Sequence, residues 1–298
     1  MSRLQANLLL SLAALIWGSS FVVQQIGTGN LDAASFTGAR FLLGSLVVLP
    51  FALRQFLHVQ REVRAFTLRD GLGIALTGSV LCVAAALQQY GILRTTVTNS
   101  GFLTALYVPM VPILALLVFR KKPHWSAWPA SICCFVGTYI MSGAQNVVLA
   151  SGDLWVISST IFWASHVLLI GIMVQKTEAP LVVACGQFFI CGILGLFLGQ
   201  YLESPDLNVF AGALTGILCM GFFSVALAFT FQVIGQRYTP APDAAIILSS
   251  ETVFAALCGA IFLGERVSDF QLAGGLLIFG GIIAVEILPM LKTARILS

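Results

Sequence analysis

The sequence contains few charged residues. Asp, Glu, Lys and Arg make up 9% of its 298 residues, against about a quarter in soluble domains. Hydrophobic residues make up 58%, and a soluble fold of this size cannot bury so much apolar surface. The scarcity of charge therefore excludes an ordinary soluble domain and indicates an integral membrane protein.

Several catalytic and redox patterns are also missing. The chain has no GxxxxGK[ST] phosphate-binding loop, so ATP is not the expected energy source, and no HExxH motif for metal-dependent catalysis. No two cysteines form a CxxC pair, and every cysteine lies in an apolar segment, which is typical of packing residues. We therefore predict no cofactor, no metal site and no enzymatic activity.

What the sequence does contain is a series of apolar stretches of membrane-spanning length. A hydrocarbon core about 30 Å thick is crossed by about 20 helical residues, and strand-like alternation is absent. The first stretch is too long and continuous for a signal peptide. We predict an all-α membrane protein without a soluble domain and with ten transmembrane helices, at residues 6–26, 33–53, 70–90, 97–119, 126–144, 152–174, 181–201, 209–235, 242–263 and 269–288.

The positive charges indicate the orientation of these helices. Lys and Arg accumulate in cytoplasmic loops. If the N-terminus is cytoplasmic, 12 of the 15 basic residues fall on the cytoplasmic side, only Arg94 and Arg266 fall outside, and Arg40 lies within a helix. We therefore predict an inner-membrane protein with both termini in the cytoplasm, and we interpret the net charge of +3 as an orientation signal rather than a nucleic-acid site.

The two halves of the chain resemble each other. The matching pairs, 144 to 147 positions apart, are Trp17 with Trp163, Arg40 with Gln187, Lys121 with Glu265 and Gly137 with Gly281. We predict two five-helix repeats, at residues 1–144 and 145–298. Because five is odd, the second repeat is inverted relative to the first, a plan found in many secondary transporters whose binding site lies near the midplane.

The chain resembles the EamA family of the drug/metabolite transporter superfamily over nearly its whole length. The resemblance is carried by "LAALIWGSSFV", "ARFLLGSLVVLP" and "AAIILSSETVFAALCGAIFLGERVS". It implies ten helices in two repeats around a central cavity, and transport of small metabolites, often export of amino acids, across bacterial cytoplasmic membranes. "FRKK" stands where the first repeat of the family often has "LGER", a departure that affects the loop geometry.

Two matching polar stripes identify the first candidate site residues. Trp17, Ser20 and Gln24 share one face of the first helix, together with Phe21. Trp163 and His166, with Ser159, form the equivalent stripe in the sixth helix. Such stripes are expected to face protein or a watery cavity rather than lipid. Lining of a shared cavity and close helix packing through small residues both remain open.

The third and fourth helices add polar candidates. Ser100, Thr104 and Tyr107 share one helix face, and Pro109 just beyond them removes a backbone hydrogen bond. Gln88 ends the third helix within "LQQY", where either glutamine could face the cavity. A proline kink that only shapes packing is the alternative for the fourth helix.

Three ionisable residues within the predicted spans could have a role in transport. Glu251 lies near the middle of the ninth helix, where a carboxylate is costly; it could carry a proton, bind a substrate amine or bridge helices. Arg40 could hold a substrate carboxylate or reach outwards to the interface. His166 could relay protons, because an imidazole titrates near physiological pH, or form a packing hydrogen bond.

We therefore predict a secondary-active transporter that works by alternating access, with amino acids as the leading substrates for export. An importer of small amines, a broad drug exporter and a non-transporting assembly protein remain alternatives. The expected partners are a small-molecule substrate, the lipid bilayer and protons as a candidate coupling ion, without nucleic acid, in a monomer or a homodimer.

Overall fold

The computed structural model describes residues 1–95, 97–141, 151–263 and 268–296. Within these ranges all regular structure is helical. The elements are α1 (Arg3–Ile26), α2 (Ala33–Glu62), α3 (Leu68–Ile92), α4 (Val97–Thr104), α5 (Tyr107–Leu117), α6 (Ala127–Met141), α7 (Asp153–Thr177), α8 (Pro180–Leu202), α9 (Leu207–Gly212), α10 (Leu214–Cys219), a π-helix (Met220–Phe229), α11 (Thr230–Gly235), α12 (Ala241–Leu248), α13 (Glu251–Leu263) and α14 (Asp269–Ile296). The expected repeat boundary after residue 144, and Glu265 and Arg266, lie outside the described residues.

Seven helical segments in the described ranges are long and apolar enough to cross a membrane. They are α1, α2, α3, residues 100–117, α7, α8 and residues 214–235. The segments 127–141 and 272–285 are apolar but shorter. The remaining predicted span, residues 242–263, is divided between α12 and α13. The chain is therefore a multi-pass membrane protein.

Two helices are interrupted at matching positions of the sequence. The carbonyl of Ala105, whose usual partner would be the missing N–H of Pro109, accepts from the N–H of Val108 instead (3.0 Å). Ser249 and Ser250 separate α12 from α13, and both hydroxyls donate to carbonyls three residues earlier. The two interruptions are 144 positions apart, which is the offset between the predicted repeats.

Glycines bring helices from the two halves of the chain into close contact. A Cβ on Gly38 of α2 would lie 2.3 Å from the backbone nitrogen of Leu196 on α8. A Cβ on Gly137 of α6 would lie 2.6 Å from the carbonyl oxygen of Gly274 on α14. Small residues at such crossings allow backbones to approach closely in a membrane, so these two pairs hold the halves together.

The ends of α2 and α8 cap each other. Glu203, just after α8, accepts hydrogen bonds from the backbone N–H groups of Ala34 (2.8 Å) and Ser35 (2.9 Å) at the start of α2. At the opposite end, Gln55 of α2 accepts from the N–H of Leu181 at the start of α8 (2.8 Å). Both side chains satisfy N–H groups that a helix start leaves without partners, and they lock the two helices in an antiparallel pair.

Ionic contacts gather at one end of the bundle. Asp70, which is fully buried, contacts Arg64 (2.7 Å) and Lys176 (3.0 Å). Arg3 contacts Asp243 at the same end (2.7 Å). These basic residues all belong to the group that the sequence predicts on the same side of the membrane as the N-terminus. At this end of the bundle, charge pairs therefore join α3 to α7 and α1 to α12.

Candidate functional site

A cavity lies inside the bundle, with walls from both halves of the chain. Its volume is about 50 Å³, counted as the space open to the centre of a water molecule. One water needs about 10–15 Å³ on this measure, so the cavity holds a few waters or one small solute. Aromatic, polar and charged side chains line it with a few aliphatic ones: Trp17, Phe21, Gln24, Arg40, Gln88, Thr104, Tyr107, Trp163, Val167, Ser224, Phe229, Gln232, Leu248 and Glu251.

An aromatic cluster forms one wall. Phe229, the last residue of the π-helix, contacts Trp17 edge-on (ring centroids 4.6 Å apart) and stacks on Trp163 (6.0 Å). The indole N–H of Trp17 donates to the carbonyl of Ser224, within the same π-helix (3.4 Å). π-Helical segments are rare and occur frequently at functional sites. Here the segment places Phe229 between the two tryptophans.

Arg40 brings a positive charge to the cavity. Its side chain is buried, and its Nη1 donates to the Oε1 of Gln24 on α1 (3.2 Å). The guanidinium also lies over the rings of Phe36 (5.7 Å) and Phe41 (5.2 Å), an arrangement that stabilises a cation. The side chain is therefore held inside the bundle and does not reach outwards to the interface, which was one of the two alternatives that the sequence left open.

Glu251 brings a negative charge to the same cavity. It is the first residue of α13, directly after the interruption at Ser250, and its residue is 5% exposed. Among the residues that the structure describes, none donates a hydrogen bond to its carboxyl group or pairs with it as a cation. Tyr107, which begins α5 at the matching position 144 residues earlier, lines the cavity as well. A buried carboxyl group without a protein partner is available to a ligand or a proton.

Amide and hydroxyl groups complete the polar wall. Gln88 donates to the hydroxyl of Thr104 (2.8 Å), and that hydroxyl donates to the carbonyl of Ser100 (2.7 Å). Gln89 faces elsewhere and donates to the backbone carbonyl of Gln24 (2.8 Å). Of the two glutamines that the sequence left undecided, Gln88 is therefore the one at the cavity.

Some cavity groups have unused hydrogen-bonding capacity. Within the described part of the chain, the indole N–H of Trp163, the Oε1 of Gln232 and the Nε of Arg40 have no hydrogen-bond partner. Buried polar groups are rarely left in this state, because an unmade hydrogen bond is costly. The wall is therefore suited to a polar guest that both donates and accepts.

Seven of the ten residues proposed from the sequence line this cavity, and three do not. The seven are Trp17, Gln24, Gln88, Thr104, Tyr107, Trp163 and Glu251. Ser20 is buried and its hydroxyl donates to the carbonyl of Trp17 (2.9 Å), which is a contact within α1. Ser100 is buried one helical turn before Thr104, and its carbonyl accepts from the hydroxyl of Thr104. These serines stabilise the helices behind the wall.

His166 also lies behind the wall. It is fully buried, and its Nε2 lies 2.8 Å from the Oε1 of Gln187 on α8. Its ring contacts those of Trp163 and Phe229 edge-on (centroids 5.8 and 6.1 Å apart). The packing hydrogen bond that the sequence left open is therefore present, and the histidine supports the aromatic cluster from outside the cavity.

The structure also adds residues that sequence reasoning left out or weighted towards packing. From the sequence, Arg40 could hold a substrate carboxylate or reach outwards, Phe229 and Gln232 could line the cavity or only pack, and Ser224 and Val167 carried no signal. A charge inside a span was the usable signal for Arg40. A π-helix shifts which side chains share a face, so helical spacing of 3.6 residues could not place Ser224 and Phe229, five positions apart, together on the cavity wall.

Comparisons with known proteins identify a family, full-length relatives and a shared fold. The sequence model of the EamA-like transporter family matches residues 4–143 and again residues 150–287. An uncharacterized transporter of Archaeoglobus fulgidus is 30% identical over 289 residues, which cover 96% of this chain and 87% of the relative. The uncharacterized transporter YwfM of Bacillus subtilis is 24% identical over 95% of this chain and 94% of its own length. A solved crystal structure with 17% sequence identity shares the fold, with a TM-score of 0.77 over 96% of this chain and 98% of that chain.

Proposed function

The chain belongs to the EamA-like transporter family, and on that premise we propose that it is a secondary-active exporter of small amino acids across the cytoplasmic membrane. The gradient of an ion or of the solute drives the transport, since the sequence has no ATP-binding loop. The direction follows from the family resemblance. The residues of the cavity support the substrate class.

One observation carries the choice of substrate: Arg40 and Glu251 line the same buried cavity. A free amino acid carries a carboxylate and an ammonium group, which match a guanidinium and a carboxylate. Each contact would be a charge-assisted hydrogen bond, the stronger kind in proteins. The amide of Gln24 already holds Arg40 in place (3.2 Å), so the cationic group of this pair is pre-organised for a carboxylate.

Helix α1 contacts the backbone of Glu251 at one level and the side chain of Arg40 at another. A Cβ on Gly18 would lie 2.4 Å from the carbonyl oxygen of Glu251, and Gln24 bonds to Arg40. These two levels of α1 are six residues apart, which corresponds to about 9 Å along the axis. The two charged residues are therefore held against α1 at different levels.

The aromatic cluster and the size of the cavity narrow the substrate further. A volume of about 50 Å³ in this conformation admits a side chain the size of that of alanine or serine. Trp17 and Trp163 provide apolar faces for it, and the unpaired indole N–H of Trp163 provides a further donor for the carboxylate. Small amphipathic amino acids therefore fit better than sugars or polyanions.

The proposal places this site between two inverted five-helix halves, with ten spanning helices in all and both termini in the cytoplasm. The matching helix interruptions, the reciprocal caps Gln55 and Glu203 and the two matches of one family model support this arrangement. Each half contributes one charge and one tryptophan to the cavity. Rocking of the halves around the site would expose it to the two sides of the membrane in turn.

Glu251 would also couple transport to protons. It binds the substrate ammonium group in one state and a proton in the other, so the cavity never holds an unpaired carboxylate in a dry environment. Substrate, bilayer and protons are then the partners of the protein, and catalysis and nucleic acid have no part. One chain lines the whole cavity, so the mechanism is the same in a monomer and in a homodimer.

The test is counterflow in proteoliposomes with labelled alanine and unlabelled competitors. Alaninamide lacks the carboxylate, N-acetylalanine lacks the ammonium group, and choline and a small sugar represent other classes. We expect saturable alanine exchange that alaninamide and N-acetylalanine inhibit poorly. Arg40→Gln and Glu251→Gln should each raise KM for alanine about 10- to 100-fold, since one charge-assisted bond contributes about 1.5–3 kcal/mol.

Matched controls separate the site from general effects. Arg54→Gln and Glu62→Gln make the same chemical changes at exposed positions of α2 and should leave the exchange unchanged. Trp155→Ala, at a half-exposed tryptophan, is the control for Trp163→Ala, which should abolish exchange. Exchange of choline without alanine would instead establish an amine transporter. Folded protein that exchanges nothing in the panel would contradict the proposal and favour an assembly role.

A further inference from the structure

A second and larger space opens at the end of the bundle that carries the salt bridges. Its volume is about 390 Å³, on the same measure that gives about 50 Å³ for the central cavity. The segment between α5 and α6, the second half of α7 and the segment between α11 and α12 form its walls. We call this space the vestibule; it is lined by residues that include Lys121, Lys122, Leu168, Gln236, Arg237 and Asp243. Its two lysines are exposed, so its mouth is open to water.

Only a thin layer of side chains separates the vestibule from the central cavity. Val167 lines the cavity, and the next residue, Leu168, lines the vestibule. Gln232 lines the cavity, and Gln236, four residues later and about 6 Å further along the helix axis, lines the vestibule. The amide Nε2 of Gln236 donates to the carbonyl of Val167 (2.8 Å) and so bridges the layer.

Gln236 is an unusual residue for such a position. It is 1% exposed, and among the described residues its Oε1 has no hydrogen-bond partner. A buried carbonyl oxygen without a donor destabilises the state in which it is found. A solute with an N–H or ammonium group that enters from the vestibule would supply that donor and weaken the amide's hold on Val167.

The charges of the vestibule favour an anionic group at its mouth. Asp243 is paired with Arg3 (2.7 Å), so its negative charge is compensated. Lys121 and Lys122 form no salt bridge within the part of the chain that the structure describes. Two uncompensated cations at the rim of a cleft raise the local concentration of carboxylates.

We propose that the vestibule is an intake site, distinct from the central cavity, at which a solute carboxylate binds to Lys121 and Lys122 before the solute passes Gln236. Gln236 then acts as the gate between the two spaces. The inference rests on the proposed function, because it assigns the solute of the central cavity to a second site on its route. The lysines determine capture of the solute, and the glutamine determines its passage.

The capture step is tested by the dependence of KM on ionic strength. Reconstituted wild-type protein should show a KM for alanine that rises with salt, because salt screens exposed charges. Lys121→Ala/Lys122→Ala should raise KM about 5-fold at low salt, leave kcat unchanged and remove the salt dependence, as expected for two exposed ion pairs. Arg54→Ala/Arg61→Ala removes two exposed cations from α2 and serves as the control that keeps the wild-type behaviour.

The passage step is tested with Gln236→Leu, which keeps the size of the side chain but removes its hydrogen bonds. We expect kcat to fall about 10-fold while the salt dependence of KM persists, with Gln200→Leu, at an exposed position, as the control. An unchanged KM in the lysine variant, or an unchanged kcat in Gln236→Leu, would overturn the intake site or the gate respectively. Absence of alanine exchange by the wild-type protein would instead overturn the proposed function itself.

Discussion

Substitution of Glu203 by alanine should destabilise the protein more than substitution of its counterpart Gln55. Glu203 accepts bonds from the N–H groups of Ala34 and Ser35, and also from the hydroxyl of Ser35 (2.5 Å). Gln55 accepts from two N–H groups at the start of α8, one of them at 3.4 Å. Both side chains therefore cap a helix start, but Glu203 is charged and Gln55 is neutral, and the distances of their hydrogen bonds differ.

The expected magnitudes follow from these contacts. Loss of a helix cap costs about 1 kcal/mol, with a range up to about 2. The charge of Glu203 strengthens its bonds and adds about 0.3–1 kcal/mol through the positive end of the α2 dipole. We expect Glu203→Ala to lower the free energy of unfolding by about 2 kcal/mol and Gln55→Ala by about 1 kcal/mol. The free energy of unfolding of Glu203→Gln should lie between those of wild type and Glu203→Ala.

The assay is reversible unfolding in detergent micelles, followed by circular dichroism. A double-mutant cycle with Ser35→Ala should give a coupling energy of about 1 kcal/mol between Glu203 and the serine, since they share a short charge-assisted bond. Glu62→Ala, at an exposed position of α2, should change the stability by less than about 0.5 kcal/mol. Equal losses for the Glu203 and Gln55 variants, or no coupling to Ser35, would refute the reasoning.

Three further predictions concern packing, ion pairs and coupling. Gly38→Ala should cost about 1–3 kcal/mol, because the added Cβ would lie 2.3 Å from a backbone nitrogen; Gly71→Ala, with no atom within 4 Å, should be neutral or stabilising in the same unfolding assay. Asp70→Asn should cost about 2 kcal/mol, because it removes the charge that a buried carboxylate offers to Arg64 and Lys176, whereas Glu178→Gln, in an exposed pair, should cost under about 0.5 kcal/mol; similar losses for both would show that burial is irrelevant here. Glu251→Gln should make residual alanine transport insensitive to a pH gradient, and retained proton coupling in that variant would exclude Glu251 as the proton carrier.

The helical organisation could be predicted closely from local patterns. Each of the ten expected spans overlaps a helical segment in the described residues, because apolar length and backbone hydrogen bonding leave a lipid-embedded chain little other choice. The sequence also makes Trp17 and Trp163 candidates for one shared cavity, with helix packing as the alternative, and both line the cavity of the structure. Their equivalence could be read because the polar stripes repeat at a constant offset.

Other features depend on how helices pack and could not be read from spacing. Ser20 and His166 share a helix face with residues of the cavity, yet both side chains lie behind its wall. Which part of a polar stripe meets the cavity depends on helix rotation and on the glycine crossings that set the distance between helices. Local sequence carries neither quantity.

The sequence by itself determined that the protein lies in a membrane, which stretches of the chain are helical, and which end gathers the basic residues, because hydrophobicity, charge and helix-breaking residues act over a few neighbouring positions. Only the tertiary structure decided that Arg40 faces inwards and shares a cavity with Glu251, and that a π-helix places Phe229 between two tryptophans. Those relations join residues up to 212 positions apart. They exist only once α1, α2 and α13 have packed against one another.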